Sequence, residues 1–239
     1  MSIVAFIPAR GGSERIPGKN IKHLAGHPLL AYAIAGAKRA RIFDGIYVST
    51  EDPEVAKVAV KYGAEVIERP DILSLSTGTD LQWIVHALKN VPAEAEVCVL
   101  LRPTNPFRTV FTILRAWNLW TASQPSDSLR AVRAVKETPF KMWFEAVINA
   151  PIARIEPIIQ HSGKLYDLPS QQFPMAYMQS GCIQIFTRQL VEEFNDQTGS
   201  AVVPFSTTES EGLDLNNMED WDRANDWLCM GRATLEVIE

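Results

Sequence analysis

The sequence predicts an α/β protein with a mostly parallel sheet and helices on both faces. Two observations carry this: strand-like and helical patterns alternate over the first half, and the strand runs at 3–8 and 97–101 are continuously apolar. Such runs suit strands buried on both faces, joined by helical crossovers. In order, 3–8 reads as the first strand, and 28–40 as a helix with Leu30, Ala33, Ile34 and Ala37 on one face. A short strand follows at 45–49. Pro53 opens a helix with Val55, Val58 and Ala59 inward, closed by Gly63, and 65–67 is a third strand. Thr79-Asp80 caps an amphipathic helix bearing Leu81, Ile84, Val85 and Leu88. The strand 97–101 is backed by a helix marked by Val110, Ile113, Leu114 and Trp117. Past about Val135 the rhythm breaks. Residues 138–174 hold many Pro and Gln with weak periodicity, too long a stretch for an ordinary connection. Strand patterns return at 182–186 and 201–205, and a last helix spans 218–229 with Trp221, Ala224 and Leu228 inward.

Composition bounds the rest. The chain has 239 residues, 46% hydrophobic and 21% charged, which suits one α/β domain with embellishments. A formal net charge of −5 argues against nonspecific binding to nucleic acid or an anionic membrane. The three cysteines, Cys98, Cys182 and Cys229, have no paired spacing, and none of the four His stands in a metal-ligand spacing. No cationic leader precedes an apolar stretch, and no run approaches about 18 apolar residues. A cytoplasmic, soluble protein is expected.

The most informative segment is Arg10-Gly11-Gly12-Ser13-Glu14-Arg15-Ile16-Pro17-Gly18-Lys19-Asn20, directly after the first strand. A Gly-rich loop at the carboxyl end of a buried strand offers backbone N–H groups to an anion, and Arg and Lys add charge for a polyphosphate. The segment therefore reads as a nucleoside-triphosphate cradle built from Arg10, Gly11, Gly12, Ser13 and Lys19. It is not a Walker A loop, because Ser13 stands where the first Gly belongs and Asn20 replaces the magnesium-binding hydroxyl. The dinucleotide pattern Gly-x-Gly-x-x-Gly is absent too. Glu14 and Arg15 read as a solvated turn, and Arg108 as a loop–helix salt-bridge partner.

The run "IPARGGSERIPGKNIKHLAGHPLLAYAI", followed by "IYVSTEDPEVAKVAVKYGAEVIERP", closely resembles the cytidylyltransferases that activate nonulosonic acids. These are the CMP-sialic acid synthetases (acylneuraminate cytidylyltransferases) and their legionaminic and pseudaminic acid relatives. The similarity continues through "VLLRPTNPFRT", "PFKMWFE", "AYMQSGCIQIF" and "LDLNNMEDW", in order along nearly the whole chain.

The resemblance implies a Rossmann-like fold of the nucleotide-diphospho-sugar transferase type, forming one domain over 1–239. It makes 138–174 an arm that packs against a second subunit in a homodimer. It assigns Arg10 and Lys19 to the triphosphate and Asn20 to the nucleotide. Arg69 and Thr79 come near cytosine and ribose, although Thr79 is equally explained as an N-cap and Arg69 as a surface charge. The sugar acid falls to Arg102, Thr104, Tyr177, Gln179 and Ser180, with Lys141 reaching its carboxylate across the dimer, or else simply solvated on the arm. Gly181 fits a close backbone approach to a ligand.

Asp214 lies past a strand near the triphosphate and is read as a ligand for Mg2+ (or Mn2+), with Asn216 at the second position. Capping of the last helix by Asn216 or Asn217 is compatible with this. Three positions depart from residues frequent in sialic acid enzymes: Arg102 for Gln, Ser170 for Arg, and Ser180 for Asn. They favour a legionaminic- or pseudaminic-type acid over N-acetylneuraminate. The expected reaction transfers CMP from CTP to such an acid. Alternatives are an enzyme for Kdo or another nucleotide, and a catalytically silent nucleotide-sugar-binding protein.

Overall fold

The computed structural model describes residues 1–75, 77–146, 154–161 and 163–238. The first strand, β1 (Ser2–Pro8), is apolar on both sides because both sides are covered. Ile3, Ala5 and Ile7 face one core cluster, and Val4 and Phe6 face another. That period-two split is what a central strand needs. After the loop, β2 (His23–Leu24) and β3 (His27–Pro28) form a small antiparallel pair leading into α1 (Leu29–Ala40).

The chain continues through β4 (Gly45–Thr50), α2 (Pro53–Tyr62) and β5 (Glu65–Glu68). Asp52 caps α2 by accepting the Glu54 and Val55 N–H groups at 2.8 and 3.2 Å. Next come α3 (Asp80–Leu88), whose Thr79 forms a capping box with Gln82, and β6 (Ala95–Leu100). α4 (Val110–Ala122), β7 (Ser128–Val135), β8 (Trp143–Ala146), β9 (Arg154–Pro157) and β10 (Ala176–Thr187) follow. α5 (Arg188–Phe194), β11 (Val202–Ser206) and α6 (Met218–Cys229) complete the chain.

The central sheet has seven strands in the order β11-β7-β10-β6-β1-β4-β5. All are parallel except β10, which runs antiparallel to both neighbours. α1, α2 and α4 cover one face, with Leu30, Val55 and Ile113 in its core. α3 and α5 cover the other through Trp83, Ile84, Leu190 and Val191. α6 packs beside the loop after β1, where Trp221 and Ala224 meet Ile16, Leu29 and Leu215. Strand order reverses at β1, between β4 and β6, so a crevice opens over the carboxyl ends of β1 and β6.

The fold expected from the sequence is present, with additions. β7 and α5 were not anticipated, nor that β10 begins at Ala176 instead of 182. Within 138–174, the β8–β9 hairpin and stacked rings of Phe140 on Phe173 (centroids 4.6 Å apart) give local order. Residues 147–153 and 162 of the expected arm lie outside the described residues. No helix among the described residues is long and apolar enough to cross a membrane.

Candidate active site

A cleft of about 400 Å³ lies over the crevice, walled by the loops after β1, β5 and β6. Arg10, Ser13, Lys19 and Asn20 line it from the first loop, and Glu14 and Arg15 also border it, although both are exposed. Buried Asn20 fixes the loop's shape by donating its side-chain amide to the Arg10 carbonyl at 2.9 Å. Lys19 Nζ donates to the Leu215 carbonyl at 2.8 Å, joining this loop to the segment that precedes α6. Burial pulls the Lys19 ammonium below its ordinary pKa, and the nearby Asp214 carboxylate opposes that shift. Arg10 reaches across to the Ser74 carbonyl at 3.4 Å.

The glycines act differently from the cradle expectation. Gly11 donates its N–H to Glu51 Oε1 at 2.8 Å, and Ser13 N–H bonds to the Gly11 carbonyl at 2.8 Å. A Cβ at position 11 would stand 2.2 Å from Asp52 Oδ2, so glycine is required there by the capping residue of α2. Gly11 and Gly12 do not line the cleft. Its basic character comes from side chains, chiefly Arg10 and Lys19.

Arg69 lies deep in the same cleft at 5% exposure. It donates to Ser49 Oγ at 3.1 Å and to the Ser49 carbonyl at 3.0 Å, and its guanidinium lies 5.0 Å from the Trp83 ring centroid. Burial lowers its pKa to about 10, which leaves it charged at neutral pH. Arg102 and Thr104, expected at the sugar, line this cleft as well. Arg102 forms an ion pair with Asp80, whose Oδ1 also accepts the Trp83 indole N–H at 3.1 Å. Burial pushes the Asp80 carboxyl up, but Arg102 outweighs it and holds the group below its ordinary value.

A second cavity of about 640 Å³ adjoins the first, and Asn216 lines both. Gln179 and Ser180 on β10 contribute to it, with Arg133 on β7, Asp214, Arg223 and Trp227 on α6, and Arg232. Asp214 Oδ2 accepts the Asn216 side-chain amide at 3.1 Å, whereas its Oδ1 is buried with no hydrogen-bond partner. Asn217 caps α6 by accepting the Asp220 N–H at 2.9 Å, so Asn216 is left beside Asp214. No group of three or more His, Cys, Asp or Glu is placed to hold a metal among the described residues. One carboxylate with an unpartnered oxygen and one amide nonetheless fit Mg2+, which keeps several waters and takes its remaining ligands from substrate phosphates.

Other expected site residues lie elsewhere. Thr79 serves the capping box of α3, and exposed Tyr177 and Lys141 line neither cavity. Gly181 lines the second cavity, and a Cβ there would stand 2.9 Å from Asn105 Oδ1 and 3.0 Å from Arg102 Cδ, so neighbouring protein side chains already require a close approach at this position. Arg108 corrects the expected salt bridge. It is 2% exposed and donates to the carbonyls of Arg102 (3.0 Å) and Cys182 (2.6 Å), with no carboxylate partner among the described residues.

Asn105, Asp80 and the arginines of the second cavity were not anticipated. Asn105 donates to the Leu213 carbonyl at 2.9 Å, and Leu215 N–H bonds to the Thr104 carbonyl at 2.9 Å. The loop after β6 thus holds the Asp214 segment in place. The available signal was a polar Thr-Asn pair between prolines at a strand end.

The sequence pattern of the cytidylyltransferase family matches residues 4–150. The pseudaminic acid cytidylyltransferase of Campylobacter jejuni subsp. jejuni serotype O:2 is 49% identical over 231 residues, covering 94% of this chain and 95% of that protein. The CMP-N,N'-diacetyllegionaminic acid synthase of Legionella pneumophila subsp. pneumophila is 30% identical over 229 residues, covering 92% and 94%. Among solved structures, a CMP:2-keto-3-deoxy-manno-octonic acid synthetase complexed with CTP matches with a TM-score of 0.70 at 15% identity. That match covers 97% of this chain and all of the other, and it speaks to the fold alone. With the family pattern spanning more than half of its length and these two relatives nearly all of it, the chain belongs to the cytidylyltransferase family.

Proposed function

We propose that the protein transfers CMP from CTP to a nonulosonic, sialic-acid-like sugar acid and releases pyrophosphate. The observation that carries this reading is the junction between the two cavities. There Lys19 from the nucleotide cleft bonds to the Asp214–Asn216 segment, and Asp214 holds an unpartnered carboxylate oxygen. CTP fits the first cavity and the acceptor the second, with their reacting ends meeting at that junction. The relatives named for pseudaminic and legionaminic acids support the substrate class.

In the reaction, a sugar hydroxyl oxygen bonds to the α-phosphorus as the bond from that phosphorus to the bridging oxygen of the β-phosphate breaks. Pyrophosphate leaves with those electrons, and the hydroxyl proton passes to solvent water. Little covalent assistance is required, so catalysis rests on alignment and on neutralising phosphate charge. Arg10 and Lys19 supply fixed positive charge, and Asn20 keeps the loop in register. Asp214 and Asn216 would hold Mg2+ or Mn2+, which supplies further phosphate neutralisation when bound. Gln179 and Ser180, with Arg133, Arg223 and Arg232 nearby, offer hydrogen bonds and charge to a polyhydroxylated anion.

Preference for a bacterial-type nonulosonic acid over N-acetylneuraminate rests on Ser180, which lines the acceptor cavity. Arg102 no longer bears on it, because its guanidinium is engaged by Asp80, and Ser170 is exposed and lines neither cavity. A homodimer through 138–174 is supported by exposed Trp143, Phe144, Ile155 and Ile158 on that stretch. Exposed Lys141 then reaches the partner's acceptor. The unbridged thiols of Cys98, Cys182 and Cys229 accord with a cytoplasmic setting.

Pyrophosphate release from CTP with a panel of acids tests the assignment. Turnover is expected with a pseudaminic or legionaminic acid, exceeding N-acetylneuraminate by about ten- to two-hundredfold in kcat/KM. Turnover with Kdo alone would replace this reading with the eight-carbon alternative. No turnover with any acid would favour a silent binding protein.

A further inference from the structure

The segment that carries Asp214 runs from the end of β11 to the start of α6, and it is fixed at both ends. At its start, the Thr207 N–H and hydroxyl donate to the Val132 carbonyl of β7 at 3.0 and 3.2 Å. Toward its end, Leu213 and Leu215 bond to Asn105 and Thr104 of the loop after β6. Between these anchors Glu211 is buried and lines neither cavity. Its two carboxylate oxygens face different elements. Oε1 accepts the hydroxyl of Thr112 in the first turn of α4 at 2.7 Å, and Oε2 accepts the Thr208 N–H within the segment at 2.8 Å. Arg115 of α4 donates to both oxygens at 3.1 and 3.0 Å, and its guanidinium lies 4.9 Å from the ring centroid of Phe205 on β11. Burial pushes the Glu211 carboxyl up, but the hydrogen bonds from Thr112, Thr208 and Arg115 outweigh it and hold the group below its ordinary value.

We propose that Glu211 is a positioning residue that holds Asp214 in its metal-binding place, an inference that rests on the reading of Asp214 and Asn216 as the site of Mg2+ or Mn2+. Asp214 Oδ1 is buried with no hydrogen-bond partner among the described residues. Such an oxygen gains free energy by turning toward water or a donor, so it stays aimed at a cation only if the backbone beneath it is held. Glu211 supplies that hold. It ties the segment to α4, the helix that continues directly from the loop bearing Thr104 and Asn105. Asp214 and that loop therefore stand on one support. A ligand must sit within about 0.5 Å of its working place, so the groups that orient it count nearly as much as the ligand itself.

The turn between Glu211 and Asp214 has little slack to absorb a shift. Gly212 N–H bonds to the Thr208 carbonyl at 3.0 Å, and Leu213 N–H to the Ser210 carbonyl at 3.1 Å. A Cβ at position 212 would stand 3.1 Å from Thr207 Oγ1, so the chain is tight here. The two-sided bonding of Glu211 also shows which substitutions break the brace. An amide has one acceptor oxygen where a carboxylate has two, so Glu211→Gln can answer α4 or Thr208 but not both. Thr112→Val removes the hydroxyl from the α4 side at nearly constant volume and leaves Glu211 in place. Thr112→Ser keeps that hydroxyl.

The test is calorimetric titration of the full-length protein with preformed manganese–CTP and, separately, with CTP in EDTA, with no sugar acid present. The ratio of the two affinities reads the metal's share of binding without any turnover. Manganese is expected to tighten CTP on wild type by about 20- to 150-fold. Glu211→Gln and Thr112→Val should each cut that ratio by about tenfold, the low end of what losing a group that orients a metal ligand costs, and leave the affinity in EDTA unchanged. Thr112→Ser should keep the wild-type ratio. Thr112→Val carries the test if the Gln variant fails to fold by circular dichroism. If the folded variants keep the wild-type ratio, or lose affinity equally with and without manganese, Glu211 serves the fold alone and the inference is overturned. Asp214→Asn separates the inference from the reading beneath it. A full manganese ratio in that variant, or none in wild type, overturns both. Collapse of the ratio there, with Glu211→Gln and Thr112→Val unchanged, overturns the inference alone.

Discussion

Lys19 is the side chain on which most of the site converges, and its environment makes a measurable prediction. Burial lowers its pKa from the 10.5 of a free lysine, with Asp214 resisting. Only the protonated amine can neutralise phosphate, so kcat/KM for CTP should fall as pH rises, with a midpoint below 10.5. Lys19→Arg should move that alkaline limb out of range, whereas an unchanged limb would assign it to another group. Arg10→Ala and Lys19→Ala should each lower turnover at least about a hundredfold, equivalent to losing roughly 2.7–4 kcal/mol of transition-state stabilisation. Near-normal turnover in either, with the fold intact, removes that residue from the phosphate site. Asp214→Ala should abolish most metal-dependent activity, and Asn216→Asp should lower the magnesium concentration needed. That Arg10 and Lys19 line the cleft was legible because charge next to a Gly-rich strand end is a local pattern, and Asp214 stood out as a carboxylate past a strand. Asp80 and Asn105 were not legible, since their partners Arg102 and Leu213 lie far away in sequence.

At the scale of elements, the loop after β6 depends on a buried cation. Arg108 holds the carbonyls of Arg102 and Cys182, binding that loop to β10. Burial lowers its pKa to about 10, so it remains charged. Arg108→Ala should cost about 2–4 kcal/mol, since two carbonyls lose a charged donor in the interior. Urea unfolding would measure it, and a midpoint equal to wild type would exclude the tether. The sequence suggested a salt bridge because spacing reveals charge without burial. β1, β4, β6 and α1 were readable from apolar runs and helical periodicity. β7 was hidden because Arg130 and Arg133 interrupt its apolar residues, and the outer half of β10 because exposed Tyr177, Met178 and Gln179 carry no inward-facing pattern.

For the whole molecule, the sheet order brings the loops after β1, β5 and β6 to one rim, and α6 carries the Asp214 segment against it. The crevice position was readable from the alternation of strands and helices, but the second cavity was not, because β7, β10 and α6 meet only in the folded chain. A native mass twice that of the 26.6 kDa chain is expected, and deletion of 138–174 should cost both assembly and activity. A monomer with full activity would contradict the arm assignment. The transfer itself is tested most directly by phosphorus NMR of CTP, magnesium, a pseudaminic or legionaminic acid and the protein. One new phosphodiester resonance of a CMP-sugar is expected, growing in equal amount with pyrophosphate and absent when the acid is left out. CTP persisting unchanged, or pyrophosphate accumulating with free CMP and no phosphodiester, would contradict it.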